Sequence, residues 1–277
     1  MPLLQAVVLG IVQGITEFLP ISSDGHLILV PSLLGWERFG LGFDVMLHAG
    51  TLLATVLYFR RDLARLASAA FSSAAERARD RRLAWLVMGS AVPSVAVVLA
   101  LEPFVDGVET RPVAEQISIA ALGLLATALV LGISEVIATH ARADVQGHDD
   151  ASGLPWPKVL AIGFAQGFAA LPGLSRSGTT IATGQALGME RGEAARFSFL
   201  MSVPIVAAAT AKKLLDLAGG EGALPPLDVM LVGVGVTTAV GYLAIWILMP
   251  FVRKHSLWWF SAYTAVVGIL LLVRFAL

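Results

Sequence analysis

Within the first 26 residues stand a carboxylate, a hydroxyl and an imidazole: Glu17, Ser23 and His26, with Asp24 between the last two. Brought together in a dry pocket, such groups can supply a base, a nucleophile and an orienting partner. Gln13 and Glu17 lie four residues apart and so share one helical face. A second group stands at 172–180, PGLSRSGTT. Here Gly173 ends one helical stretch and Ser175 opens the next, followed by Arg176, Ser177 and Thr180. A helix start offers free N–H groups and a positive dipole end to an anion. The guanidinium adds a planar fork suited to phosphate.

Blander readings stand beside these. Serines at a helix start cap it, a core histidine is commonly just hydrogen-bonded, and an arginine can snorkel. Arg176, however, lies in the middle of an apolar region spanning 158–190, where a charge is costly and usually functional. An anion site is therefore expected there, with Gly173, Ser175, Ser177 and Thr180 around it and Ser22 at the matching helix start. Asp44 and His48, also four apart, either flank the same cavity or form a buried structural pair.

The elements that must position these groups are two copies of one pattern. Shifted by 153 positions, Gly10–Arg38 aligns with Gly163–Arg191 without a gap. Identical pairs include Gln13/Gln166, Gly14/Gly167, Ser22/Ser175, Gly25/Gly178, Gly35/Gly188 and Arg38/Arg191. Glu17 and His26 fall opposite Ala170 and Thr179, and Arg176 replaces Ser23. One copy thus holds the acid–base groups and the other the anion clamp. Interrupted apolar segments, placed equivalently in two halves, mark the site of many transporter folds.

The rest of the chain reads as membrane. The apolar fraction is 57% and the charged fraction 14%, with a mean hydropathy of +0.79; soluble domains carry about 25% charged residues. A net charge of −1 offers no field for nucleic acid. The absence of cysteine excludes disulfides, thiolate ligands and a cysteine nucleophile. The opening MPLLQAVVLG lacks a basic region, so no cleavable signal peptide is expected.

Six apolar segments suit spanning helices, at about 43–59, 83–101, 113–137, 194–215, 227–250 and 257–275. Regions 2–34 and 158–190 are each cut centrally, at Pro20–Gly25 and Pro172–Gly178, and read as re-entrant helix–break–helix pairs. Three crossings separate the two, an odd number, so the second half is inverted. The expected fold is an all-α integral membrane protein, one domain over 1–277, with inverted repeats at 1–140 and 155–277. Seven arginines within 60–82 place that loop in the cytoplasm, and both termini then come out external. Lys212 and Lys213 run against this orientation. The polar linker 138–157 is taken as the repeat boundary. Its His140, His148, Asp149 and Asp150 suggest solvated loop more than metal site.

At these motifs the sequence resembles the undecaprenyl-diphosphate phosphatase family, the bacterial enzymes linked to bacitracin resistance. Residues 13–26, QGITEFLPISSDGH, fit its (E/Q)xxxE pattern followed by SSxGH, and 172–180 fit PGxSRSxxT. Residues 59–63 and 197–204 are family-like too. The resemblance implies a multi-pass enzyme of the bacterial inner membrane that cuts undecaprenyl diphosphate to the monophosphate and recycles the cell-wall lipid carrier. It assigns Glu17, Ser23, His26, Arg176 and Thr180 to the active site, with Ser175 and Gln13 lining it. It leaves room for a homodimer and for a divalent cation, Mg or Ca, on Glu17 and Asp24. Gln13 stands at a position the pattern also fills with Glu, and Asp24 where the family often has Thr or Ser. Two mechanisms remain open: attack by Ser23 with His26 or Glu17 as base, and direct attack by water. A polyprenyl-phosphate carrier or flippase on the same repeats is the alternative function.

Overall fold

The computed structural model describes residues 2–141, 151–219 and 225–275. Residues 142–150 of the linker expected at the repeat boundary, His148, Asp149 and Asp150 among them, lie outside these. The chain forms α1 (Pro2–Thr16), α2 (Ser23–Leu34), α3 (Leu41–Tyr58), α4 (Arg60–Ala70), α5 (Ala78–Glu109) and α6 (Val113–Ala141). There follow α7 (Trp156–Phe168), α8 (Arg176–Ala186), α9 (Arg191–Ala218), α10 (Leu227–Lys254) and α11 (Trp258–Phe275). No strand occurs among the described residues.

Five helices, α5, α6, α9, α10 and α11, are long and apolar enough to cross a membrane, and α3 with α4 makes a sixth if taken as one bent span. Each carries one of the six apolar segments of the sequence. Two stretches read as loop are helical instead. Residues 60–70 form α4, which bends 77° away from α3, and α5 continues to Glu109. α4 escapes a search for apolar length because it buries only one side, at Leu66 and Ala69.

Both helix breaks begin where a proline stands four residues on. A proline ring clashes with the carbonyl four residues earlier and supplies no N–H. Four residues before Pro20 is Thr16, the last residue of α1; four before Pro172 is Phe168, the last of α7. The first break thus begins at Glu17 rather than at Pro20. Ser22 then adopts φ 69°, a left-handed conformation uncommon outside glycine. Gly173 occupies the second break at φ 82°, and a Cβ there would overlap the Ala120 carbonyl of α6. Thr127 of α6 fastens this break, donating to Gly173 O (3.2 Å) and accepting from Ser175 N–H (2.9 Å).

The long helices hold the broken pairs by close backbone approach. α1 lies on α10, with Gly10 and Gly14 against Gly233, Thr237 and Gly241; α7 lies on α5, with Gly163 and Gly167 against Ser90, Ser94 and Val97. Thr237 donates to Gly10 O (3.2 Å) and Ser94 to Gly163 O (2.7 Å). Small residues and interhelical hydroxyl bonds are the usual means of helix association in lipid, where burial of apolar surface drives little. Below the breaks Phe18, Phe59 and Phe199 join the largest buried cluster, with Phe18 and Phe199 edge to face at 5.6 Å. Glu135, towards the end of α6, is buried. It accepts from Gln185 (3.0 Å), Ser256 (2.8 Å) and the Leu257 N–H (3.1 Å), and faces Arg191 at 3.3 Å.

Gly173→Ala is expected to destabilise the protein by more than about 1 kcal/mol, seen as a lowered melting temperature in detergent. Gly107→Ala, where nothing lies within 4 Å of a new Cβ, should not lower it. Equal melting of the two variants would remove the role assigned to the second break.

Candidate active site

The two breaks abut. Ser177 Oγ, in the first turn of α8, donates to Leu19 O of the first break at 3.2 Å. Between them Arg176 Nη2 donates to Glu17 Oε1 at 2.7 Å. The other carboxylate oxygen, Oε2, accepts from Ser23 Oγ at 2.7 Å and from Gln13 Nε2 at 3.1 Å. Glu17 is buried, its side chain 7% exposed. Arg176 Nη1 is also buried and has no hydrogen-bond partner. A buried guanidinium N–H left unsatisfied is costly, and this one stands at a helix N-terminus, where the dipole favours anions.

Ser175 caps α8 by accepting the Gly178 N–H at 3.0 Å. α2 begins at Ser23 with no side-chain cap. Both half-helices therefore start at the same place, with their first N–H groups lacking intrahelical partners. The cavity between them has a volume of about 270 Å³ and is lined by Glu17, Ser22, Ser23, Asp24, His48, Ser175 and Arg176, with apolar walls from Leu174, Ile205 and Val206. A neighbouring cavity of about 280 Å³ shares Asp24 and His48 and reaches Arg38, Asp44, Glu109, Gln116 and Lys213, where α5 gives way to α6.

The expected site residues thus divide. Glu17, Ser22, Ser23, Asp24, Ser175 and Arg176 line the cavity. Gln13 stands behind Glu17. Thr180 is bonded to Arg176 O (2.8 Å) and the Ser198 hydroxyl (2.6 Å), and Gly173 shapes the turn. His26 points elsewhere. Its Nδ1–H donates to Ser22 O at 2.6 Å, which leaves Nε2 to accept from the Tyr263 hydroxyl at 2.8 Å. Both ring nitrogens are therefore engaged away from Ser23 Oγ. Ser23 and His26 stand three apart in α2, but the imidazole turns back to the carbonyl of the strained Ser22.

The imidazole that does face the cavity is His48 of α3. Its Nδ1–H donates to Asp44 O at 2.8 Å, and its Nε2 lies 3.8 Å from Glu17 Oε2 and 3.7 Å from Asp24 Oδ1. The Asp44 carboxylate turns away to Arg38 at 3.0 Å. The i,i+4 spacing of Asp44 and His48 was the only sequence signal for this. The donor set also bears on a cation. Both oxygens of Glu17 are taken by donors, whereas the Asp24 carboxylate is about half exposed, with His48 Nε2 its only ion-pair contact among the described residues. No three His, Cys, Asp or Glu side chains form a metal cluster among the described residues. The residues present suit a cation that arrives on a polyanion and meets Asp24, and not a cage that holds one alone.

Fold and site together define an all-helical, polytopic membrane protein with a buried polar cluster where two broken helices meet. Comparison with known proteins agrees. The profile of the bacitracin resistance protein BacA family matches residues 6–270, and the chain belongs to that family. It is 41% identical to undecaprenyl-diphosphatase 2 of Stutzerimonas stutzeri, over 100% of this chain and 99% of that one. It is 44% identical to the undecaprenyl-diphosphatase of Rubrobacter xylanophilus, over 98% and 99% of the two chains. Identity to the Chloroherpeton thalassium undecaprenyl-diphosphatase is 38%, over 100% and 98%.

The two histidines should separate in thermal melts. His26→Ala leaves the buried Ser22 carbonyl and Tyr263 hydroxyl without their partner and is expected to cost about 1–3 kcal/mol. His48→Ala, whose Nε2 faces the cavity, should melt near the wild type. Equal losses would show both rings to be structural.

Proposed function

We propose that this chain is a membrane phosphatase that hydrolyses undecaprenyl diphosphate to undecaprenyl phosphate and inorganic phosphate, returning the lipid carrier to cell-wall synthesis. One observation carries the reading. Ser23 Oγ donates to a Glu17 carboxylate whose other oxygen is held by Arg176, while Arg176 keeps a buried N–H without a partner. That is a nucleophile, its base and an anion clamp in one place.

The diphosphate enters with its terminal phosphoryl group against Arg176 and the starts of α2 and α8. Ser23 Oγ attacks the terminal phosphorus and gives its proton to Glu17. The bond to the bridging oxygen breaks and polyprenyl phosphate leaves. Arg176 and the two helix starts offset the charge spread over the equatorial oxygens. Water then displaces Ser23 from phosphorus, Glu17 returns the proton to Ser23 Oγ, and one proton passes to cavity water with the phosphate. His48 Nε2 stands where it can hydrogen-bond that water. His26 acts through Ser22, whose left-handed conformation sets the direction of Ser23. A divalent cation carried by the diphosphate would meet Asp24 and neutralise phosphoryl charge.

The finer architecture belongs to the same reading. The broken pairs α1–α2 and α7–α8 are re-entrant, and the halves 1–140 and 155–277 are inverted copies. In support, α1 packs on α10 as α7 packs on α5, while α3 meets α9 and α6 meets α11. With the arginines of 60–82 in the cytoplasm, the termini and the cavity mouth beside Arg38 and Gln116 face outward, in the bacterial inner membrane. A carrier needs no hydroxyl held on a carboxylate, so the enzyme is preferred over it.

Purified protein in detergent should release phosphate from a polyprenyl diphosphate. Ser23→Ala should abolish turnover but retain substrate binding, and Arg176→Lys should lower kcat/KM more than tenfold, about 1.4 kcal/mol. Full activity in Ser23→Ala would exclude serine as the nucleophile, and lipid movement without phosphate release would exclude the enzyme. Chelator added to the same assay reads the cation directly; unchanged turnover would remove it from the site. Topology has its own test, since the chain lacks cysteine. In intact cells an impermeant thiol reagent should reach Gly107→Cys from outside, and Ala78→Cys only once the inner face is opened. Labelling of both from one side would contradict the orientation.

A further inference from the structure

The catalytic reading makes no use of the surface between α3 and α5. Over residues 60–82 it carries seven arginines against three carboxylates. Because α4 turns 77° from α3, it runs along the membrane surface when α3 crosses the bilayer. Leu66 and Ala69 face inward, while Arg61 and Arg65 are exposed. Just beyond α4, Phe71 is 87% exposed, and its ring meets Trp85 of α5 edge to face at 5.8 Å. Aromatic rings of this kind settle at headgroup level.

Two of the three carboxylates are already engaged. Asp62 accepts from Arg196 at 2.6 Å and Arg65 at 3.0 Å, and Asp80 lies 3.6 Å from Arg65. Other guanidiniums are pinned through one N–H each to a backbone carbonyl: Arg77 on Ser68 (3.3 Å) and Arg82 on Leu154 (2.9 Å). A guanidinium has five donors, so most of each fork remains for a ligand. Arg61 makes no hydrogen bond or ion pair among the described residues. Fixed, outward guanidiniums beside an apolar aromatic pair complement a phosphodiester headgroup above acyl chains.

We propose that residues 60–82 form a docking surface for anionic phospholipid, with Arg61, Arg77 and Arg82 on headgroup phosphates and Phe71 and Trp85 at the acyl boundary. The surface is separate from the catalytic cavity and does not depend on the hydrolytic reading.

The test reconstitutes the full chain into phosphatidylcholine vesicles with and without phosphatidylglycerol. Lipid retained after mild extraction is then measured by native mass spectrometry. The wild type is expected to retain phosphatidylglycerol over phosphatidylcholine, and added salt should weaken this. The triple variant R61Q/R77Q/R82Q should lose the preference by on the order of a hundredfold, and R61Q alone by about fivefold. R61Q breaks no internal bond, so it should melt as the wild type does, and R61K should keep most of the preference. An unchanged preference in R61Q, or equal retention of both lipids by the wild type, overturns the proposal.

Discussion

The structure turns on one ion pair, Glu17 with Arg176 at 2.7 Å, formed between residues 159 apart in sequence. Taking two charges out of water costs several kcal/mol each, and a buried pair offsets that cost only when its remaining hydrogen-bonding groups are met. Glu17 meets this condition through Ser23 and Gln13. Arg176 does not, because its Nη1 is left without a partner. The pair is thus complete on the carboxylate side and incomplete on the guanidinium side, as expected of a site that waits for an anion. Removing either partner would leave an uncompensated charge among apolar helices.

Everything that positions this pair follows from two prolines and the helices around them. Pro20 and Pro172 stop α1 and α7 four residues upstream, and the freed segments can turn only because α6 and the long helices α5 and α10 hold them. Thr127 fastens one break and the His26–Ser22 bond the other. The glycines of α1 and α7 let α10 and α5 approach closely enough for hydroxyl groups to reach their carbonyls. Irregular backbone at this depth is tolerated where it lines a wet cavity. The cavity and the breaks therefore depend on one another, and Ser23 and Arg176 sit at the two helix starts they create.

Much of this was legible in the sequence because it depends on covalent structure or periodicity. Six apolar segments, two proline breaks and the pairing of Gln13 with Glu17 need no tertiary context to be read. What escaped depends on direction. Ser23 and His26 stand three apart in one helix, yet only the path of α2 past Tyr263 decides that the hydroxyl faces Glu17 and the ring does not. His48 looked no more informative than Asp44 until α3 was placed beside the break. α4 was missed because it has no apolar length to betray it, only one buried side at Leu66 and Ala69. Glu135, near the end of a span, accepts three hydrogen bonds and pairs with Arg191, contacts that no local pattern announces.

The central claim is that Ser23, held by Glu17, attacks phosphorus before water does. The direct measurement is the stereochemistry at the terminal phosphorus, using a polyprenyl diphosphate whose terminal group is a thiophosphate made chiral with two oxygen isotopes, hydrolysed by the purified enzyme in water of the third isotope. Two in-line displacements, first by Ser23 and then by water, predict net retention of configuration. Inversion would mean a single attack by water, with Ser23 as a ligand only, and would contradict the account.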